Sequence, residues 1–374
     1  MLNCLNTTVK MKKKLILFMP SIEIGGVEKN FIIIANYFAK HFDELSIITT
    51  SKKYKKKFDQ NIKLIIPQNK IWEKTSRRVK FLVSLFYLII EFFKNKEVKV
   101  FCFQANLYCI LVCKIFMKKI IIRSNSSPDG WSQNPLKKFL YKKILKLSDK
   151  IIVNSLKFKK QLKTKFDLKS YCIYNPLNSE DILKLSKQSI NKNKLFKKKN
   201  LKLINVARLE DQKDHQTLLK AMLLLKNKIN FQLIIIGGGK NRNQILKLIN
   251  EYNLKKIVKL KPFIKNPYPY MKISDCFILS SIYEGLPNVL LEAILLDNFI
   301  ISSNCPTGPS EILDNNKGGL LFKTSSPEDL VKKILFFYKN KKICLKKKQF
   351  AKKRLSRFDY QDNLKKYLLM AENF

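Results

Sequence analysis

The stretch "LKLINVARLEDQKDHQTLLKAMLLLKNKINFQLIIIGGG", residues 201–239, decides the fold. "LKLINVARL" (201–209) is an apolar run of strand length, "DHQTLLKAMLLLKNK" (214–228) shifts to helical spacing, and "FQLIIIGGG" (231–239) returns to strand and ends in three glycines. Strands that are apolar on both faces need cover on both sides, and an intervening helix is the crossover that makes consecutive strands parallel. The unit is therefore one turn of a doubly wound α/β domain.

Working outward, the same alternation continues through "IVKLKPF" (257–263), "CFILSS" (276–281), a helix after Pro287, "FIISSN" (299–304) and "GGLLFK" (318–323). It also precedes the stretch: "KLILFMP" (14–20), "LSIITT" (45–50), "VKVFCFQ" (98–104), "KIIIRSN" (119–125) and "KIIVNS" (150–155) read as strands separated by helical patterns. The expected architecture is α/β, with two doubly wound, Rossmann-like parallel-sheet domains facing each other across a cleft. The expected division is an overhang at 1–10, a first domain at 11–175, an exposed Asn- and Lys-rich linker at 176–200, and a second domain at 201–350. A C-terminal helix at 351–374 is expected to pack back on the first domain.

The chain has 374 residues and a formal net charge of +46, mostly from Lys, spread over both halves. An even spread suits a compositional bias laid over an ordinary fold. Adhesion to anionic lipid is the other reading, and the densest cluster, "SKKYKKK" (51–57), is expected as a solvated loop able to touch headgroups. No recognition motif or aromatic-interleaved patch argues for nucleic acid, so none is expected as a partner. The eight cysteines lack paired C-x-x-C spacing and a histidine set, which points to buried thiols rather than a metal or disulfide frame. The longest apolar run, "FLVSLFYLIIEFF" (81–93), is shorter than the about 20 residues a spanning helix needs, and reads as a buried or interfacial helix.

Chemistry concentrates in the second half. In "VARLEDQKDH" (206–215), Arg208 lies past a strand end and Lys213 at the approach to a helix, where cations and free helix N–H groups suit a diphosphate. Gly238, in the glycine run after "LIII", permits close backbone approach to a ligand. "SSIYEGLPNVLLEA" (280–293) sets Glu284 on a turn and Glu292 about two helical turns deeper, with Pro287 suited to the first turn. The main-chain N–H groups of Gly285, Leu286, Asn288 and Val289, on either side of Pro287, open the helix as donors for anionic oxygens. Taken singly, Glu284 reads as a cap and Glu292 as a solvent-facing charge. Taken as a pair, they read as acceptors for sugar hydroxyls.

The pair with its spacing resembles the E-x7-E signature of retaining glycosyltransferases of family 4, which have the two-domain GT-B fold. "GGVEKN" (25–30), "VARLEDQKDHQTLLKA" (206–221), "PSEIL" (309–313) and "GGLLF" (318–322) follow in the order that family has. The resemblance implies that Arg208 and Lys213 hold a donor diphosphate, that Glu292 binds the nucleotide ribose, and that Glu284 meets the transferred sugar. It implies that Gly25 and Gly26 face the diphosphate and acceptor, and that "KPFIKNPYPY" (261–270), with Phe263, holds the base. Many relatives carry a histidine in a first-domain loop facing the sugar. His41 and His215 do not match it, and "RSNSSPDGW" (123–131) stands there, with Ser124 or Asn125 as the polar contact.

The resemblance implies retaining transfer; no histidine offers itself as a base beside an acceptor and no D-x-D pair is found, so transfer without a metal or cofactor is expected. The implied substrates are a UDP-sugar carrying a hexose or N-acetylhexosamine, and a lipid-linked or lipopolysaccharide saccharide. The expected location is the inner face of the cytoplasmic membrane. A sugar-nucleotide epimerase on the same fold and a non-catalytic basic protein binding membrane or nucleic acid remain the alternatives.

Overall fold

The computed structural model describes residues 13–374 apart from 24, 70, 126–133, 192–194 and 198. The expected overhang at 1–10 and most of "RSNSSPDGW" lie outside the described residues.

The first sheet comprises β1 (Lys14–Phe18), β2 (Glu44–Ile48), β3 (Ile62–Ile65), β4 (Lys99–Cys102), β5 (Ile120–Ser124), β6 (Lys150–Val153) and β7 (Tyr171–Cys172). Its order is β3-β2-β1-β4-β5-β6-β7, and every pairing is parallel. The second sheet comprises β8 (Leu201–Val206), β9 (Phe231–Ile236), β10 (Val258–Lys261), β11 (Cys276–Leu279), β12 (Phe299–Ser303) and β13 (Leu320–Phe322). It runs β10-β9-β8-β11-β12-β13, again all parallel. Strand order reverses between β1 and β4 and between β8 and β11, so the loops after β1, β8 and β11 open at the two switch points where such folds take ligands.

β3 and β7 go beyond the strands read from sequence. One is the four-residue "IKLI" and the other a two-residue edge pairing, too short for periodicity to register. "SKKYKKK" also differs from the expected loop. Lys52–Lys57 forms a short 3-10 helix whose Tyr54 is buried, with the Lys53 and Lys57 ammonium groups 5.2 and 5.1 Å from its ring centre.

The expected linker at 176–200 is not an exposed strap. Asn178 caps a helix at Ser179–Ser186, and Leu177, Ile182, Leu195 and Phe196 are buried in the second-domain core beside Leu290 and Phe358. The Lys- and Asn-rich composition hid four apolar anchors. The C-terminal segment divides as well. Ala351 and Phe358 stay in that second-domain core, where the Phe358 ring lies 4.9 Å from that of Tyr174, and the helix Tyr360–Glu372 packs on the first domain. There Leu364, Tyr367 and Ala371 join Phe31, Phe38 and Phe101 in one apolar cluster. Where the chain crosses and later returns, the Leu177 N–H donates to the Phe358 carbonyl at 3.0 Å, so the two crossings brace each other.

Leu364 is fully buried in a cluster that its helix shares with residues far away in sequence, among them Phe31, Phe38 and Phe101. Leu364→Ala is expected to destabilise the first domain by about 2–4 kcal/mol, read as a lowered denaturant midpoint with little change at an exposed control such as Leu369→Ala.

Candidate functional site

The loops after β8 and β11 are stitched together before any ligand is considered. The Gln212 side chain donates to the Tyr283 carbonyl at 2.7 Å, the Ile282 N–H donates to the Gln212 carbonyl at 2.8 Å, and the Ser280 hydroxyl donates to the Lys213 carbonyl at 2.8 Å. This fixes Lys213 against Glu284: the ammonium donates to Oε1 at 2.5 Å, with both side chains almost out of solvent. Thr307 donates its hydroxyl to the Glu284 carbonyl at 2.5 Å, which ties in the loop after β12. Arg208, on the same loop as Lys213, does not join this pair. Its guanidinium is half exposed and meets Glu210 at 3.3 Å.

Behind these loops, His215 is buried with Nε2 3.2 Å from Asn205 Oδ1, while Nδ1 has no partner among the described residues. Burial, reinforced by the Lys213 charge, lowers the His215 imidazole to about 4. It is a neutral support under the loop.

Across the cleft, Gly25 stands at the start of the helix Gly26–Phe38. Gly26 comes so close to the second domain that a Cβ on it would stand 3.4 Å from Asn288 Nδ2. That amide donates to the Gly26 carbonyl at 3.3 Å. A Cβ on Gly285 would collide with the Asn125 carbonyl, so the turn before the helix Asn288–Leu295 can touch the first domain only as glycine. Asn125 lies at the end of β5, where its side-chain amide donates to the Phe103 carbonyl at 3.1 Å. Pro287 is the residue before the helix and makes no side-chain cap, so the N–H groups that follow it have no capping acceptor from that residue. Leu286 is buried and Val289 partly so; both pack in the second-domain core. Gly238 and Phe263 stand together at the other end of the site, with a Cβ on Gly238 3.4 Å from Phe263 Cβ.

Glu292 is 8% exposed and holds a partner that the sequence did not suggest: Lys29 of the first domain, 2.6 Å from Oε1. The same ammonium donates to the Tyr268 hydroxyl at 2.7 Å, and that hydroxyl donates to Glu292 at 3.2 Å. Burial pulls the Lys29 ammonium down, but Glu292 and Tyr268 outweigh it and the net shift is upward. Burial and then Glu292 push the Tyr268 phenol up to about 12. Burial also raises the Glu28 carboxyl, against its own backbone N–H and the charge of Arg208. The shift from Arg208 shows that "GGVEKN" and the loop after β8 share one electrostatic neighbourhood.

Three further residues complete the seam. Arg123 is fully buried and donates to the side chain of Asn125, to Asn175 Oδ1 at 2.6 Å and to the Tyr367 hydroxyl at 2.9 Å. Asn175 passes the contact on, donating to the Leu286 carbonyl at 3.2 Å and to the Asn288 side chain. Glu311, from "PSEIL", accepts from the first two N–H groups of the helix Leu156–Phe166, at 2.8 and 3.0 Å, and from the Tyr174 hydroxyl at 2.7 Å. A carboxylate on a helix N-terminus is a favourable charge–dipole contact, and here it bolts the second domain to the first. Lys29 was legible only as a member of "GGVEKN"; Arg123 stood in "RSNSSPDGW" without a role of its own, and Asn175 carried no motif. Among the described residues, no three of His, Cys, Asp and Glu converge as a metal cluster.

Comparison with known proteins places this geometry. Residues 186–354 match the family model described as Glycosyl transferases group 1. An uncharacterized glycosyltransferase of Methanocaldococcus jannaschii is 34% identical over 218 residues, 54% of this chain and 53% of that protein. The N-acetylgalactosamine-N,N'-diacetylbacillosaminyl-diphospho-undecaprenol 4-alpha-N-acetylgalactosaminyltransferase of Campylobacter jejuni is 28% identical over 225 residues, 59% of this chain and 60% of its own. The alignments thus span a little over half the length of these relatives. The structure of Anabaena HepE in complex with UDP superposes with a TM-score of 0.76 at 15% identity, covering 96% of this chain and 100% of that one. The fold is GT-B.

Glu311→Gln keeps the shape of the side chain and removes its charge at the helix end. It is expected to shift the balance toward an open cleft by about 1–3 kcal/mol, seen in solution scattering as a larger radius of gyration. His215 makes a pH prediction. With a folded pKa near 4 and an unfolded value of about 6.5, the unfolded chain binds the extra proton between them. Its stabilising contribution is full above about pH 6.5 and falls as pH drops toward 4, by about 3 kcal/mol in all. Thermal unfolding of His215→Gln should lose that part of the acid dependence, so the difference between the two pH curves isolates it.

Proposed function

We propose that the chain is a retaining glycosyltransferase moving a hexose or N-acetylhexosamine from a nucleotide diphosphate sugar to a lipid-linked or lipopolysaccharide saccharide. The observation that carries the reading is the Lys213–Glu284 pair, held at the β8/β11 switch point beside a turn whose Gly285 meets Asn125, and whose following Asn288 meets Gly26, of the opposite domain. Lys213 and Arg208 supply positive charge for a diphosphate, and the helix start after Pro287 supplies N–H donors. Glu284 takes the hydroxyls of the transferred sugar. Glu292 takes the ribose diol, which replaces the Lys29 ammonium as its partner, and the Gly238–Phe263 end takes the base.

In the transfer, the bond between the anomeric carbon and the terminal phosphate oxygen breaks, and a bond to the acceptor oxygen forms on the same face. The leaving phosphate accepts the acceptor's proton, while Lys213, Arg208 and the helix N–H groups stabilise the charge that develops on it. No metal is required for this route, because the cations that balance the diphosphate are side chains. HepE, in complex with UDP, supports a uridine donor, and the diphospho-undecaprenol acceptor named for the Campylobacter relative supports a lipid-linked one. No helix among the described residues is long and apolar enough to cross a membrane. We place the enzyme peripherally on the inner face of the cytoplasmic membrane, with an anionic bilayer as its partner.

The test is a screen of nucleotide sugars by thermal shift, followed by transfer assays on membrane extract. A UDP-sugar is expected to stabilise the protein, and product to form only with an acceptor; turnover of the donor sugar without an acceptor would mark an epimerase. Glu284→Gln should lower kcat roughly 100- to 1,000-fold. Glu292→Gln should act chiefly on KM. Product formation unchanged by both substitutions would overturn the assignment.

A further inference from the structure

Three consecutive helices of the first domain carry apolar side chains on the side turned away from their core. In Arg77–Lys94, Leu85, Leu88 and Phe92 face inward, while Leu82, Phe86 and Phe93 stand 66%, 61% and 74% exposed on a single outer stripe. In Asn106–Ile115, Cys109, Ile110 and Cys113 are buried, and Tyr108, Leu111 and Ile115 face out. In Pro135–Lys146, Leu136, Phe139 and Leu140 face out. The middle helix packs against both neighbours. The rings of Phe93 and Phe116 meet at 5.6 Å and join the first two stripes at one end. Single exposed apolar residues are ordinary, but aligned stripes on adjacent helices form a patch of the kind that marks a docking surface.

The charge on these helices identifies the occupant. Their polar positions are rich in Lys and Arg, and their one acid, Glu91, is buried and paired with Lys94 at 3.1 Å. Interfaces with other proteins are depleted in Lys. Apolar stripes edged by Lys and Arg, with no exposed acid, suit a layer that is hydrocarbon inside and anionic at its surface, where long cationic side chains reach the headgroups. We propose that this three-helix face seats the protein on an anionic phospholipid bilayer, with the outer stripes entering the boundary between headgroups and acyl chains.

The seat also orients the cleft. The helices Asn106–Ile115 and Pro135–Lys146 follow β4 and β5, so they begin at the carboxyl edge of the sheet, the edge that faces the site. A saccharide on a lipid anchor would then approach the cleft along the same surface. This orientation rests on the lipid-linked reading of the acceptor; the docking face itself does not.

The test uses the full chain with vesicles of phosphatidylcholine, with and without phosphatidylglycerol, in a sedimentation assay at several salt concentrations. The triple variant Leu82→Gln/Phe86→Gln/Phe139→Gln is expected to lose at least about tenfold in partitioning onto the anionic vesicles. Its melting temperature and the thermal shift produced by UDP should stay as in the parent. Leu246→Gln/Leu345→Gln, exposed apolar positions of the second domain, should bind vesicles as the parent does. Parent-like binding by the triple variant would show adhesion by diffuse charge and overturn the proposal. So would an equal loss in the second-domain control, or a dimer in solution that the triple variant dissolves without any vesicle binding. Absence of a UDP shift in the parent would count against the donor reading and leave the docking result intact.

Discussion

Arg123 is the point on which the arrangement of the two domains turns. A fully buried guanidinium is costly unless its donors are matched, and its three partners come from three separate places: Asn125 at the cleft, Asn175 at the crossing between domains, and Tyr367 in the last helix. Those partners must therefore assemble together. Asn175 extends the same network to the Leu286 carbonyl and the Asn288 side chain, so the start of the helix Asn288–Leu295 is registered against the first domain through one buried cation. The long return of the chain from Phe358 to Tyr360–Glu372 is thus part of the site's support as well as of the first-domain core.

Within that frame, the cleft keeps its carboxylates balanced. Glu284 is matched by Lys213 from its own domain and Glu292 by Lys29 from the other. The difference has consequences. The first pair is fixed by loops that bond to each other, and survives any movement of the domains. The second joins the two domains, and a diol that took over Glu292 would free a cation on the opposite wall. Charge in the cleft is in this way coupled to domain position.

The sheets were legible in sequence because buried parallel strands are continuous apolar runs, and "FQLIIIGGG" or "KIIIRSN" leaves little alternative. The candidate site of the second domain was read from short ordered motifs around Glu284, Lys213 and Gly285, and of these the structure brings Lys213 and Glu284 into direct contact. What escaped were contacts made at a distance. Lys29 reaches Glu292 across 263 positions of chain and Arg123 reaches Tyr367 across 244, and no local pattern marks either pair. Composition misled in 176–200, where Lys and Asn masked Leu177, Ile182, Leu195 and Phe196. The run 81–93 could be read as buried or interfacial; one side of the helix lies in the core and the other carries Leu82, Phe86 and Phe93 into solvent.

The excess of lysine that obscures so much of this chain makes its acids informative. With 74 Lys and Arg against 28 Asp and Glu, nearly any carboxylate can find a cation at the surface at no desolvation cost. An acid that is buried instead must be held by something specific. Among the described residues four are: Glu91, Glu284, Glu292 and Glu311. Glu91 sits within the first domain, beneath Lys63 and Lys94. The other three all belong to the second domain and lie along its contact with the first, one on a lysine of its own loop, one on a lysine from the opposite wall, and one on a helix end. In a chain this basic, the position of the buried acids traces the cleft more sharply than the position of its cations can.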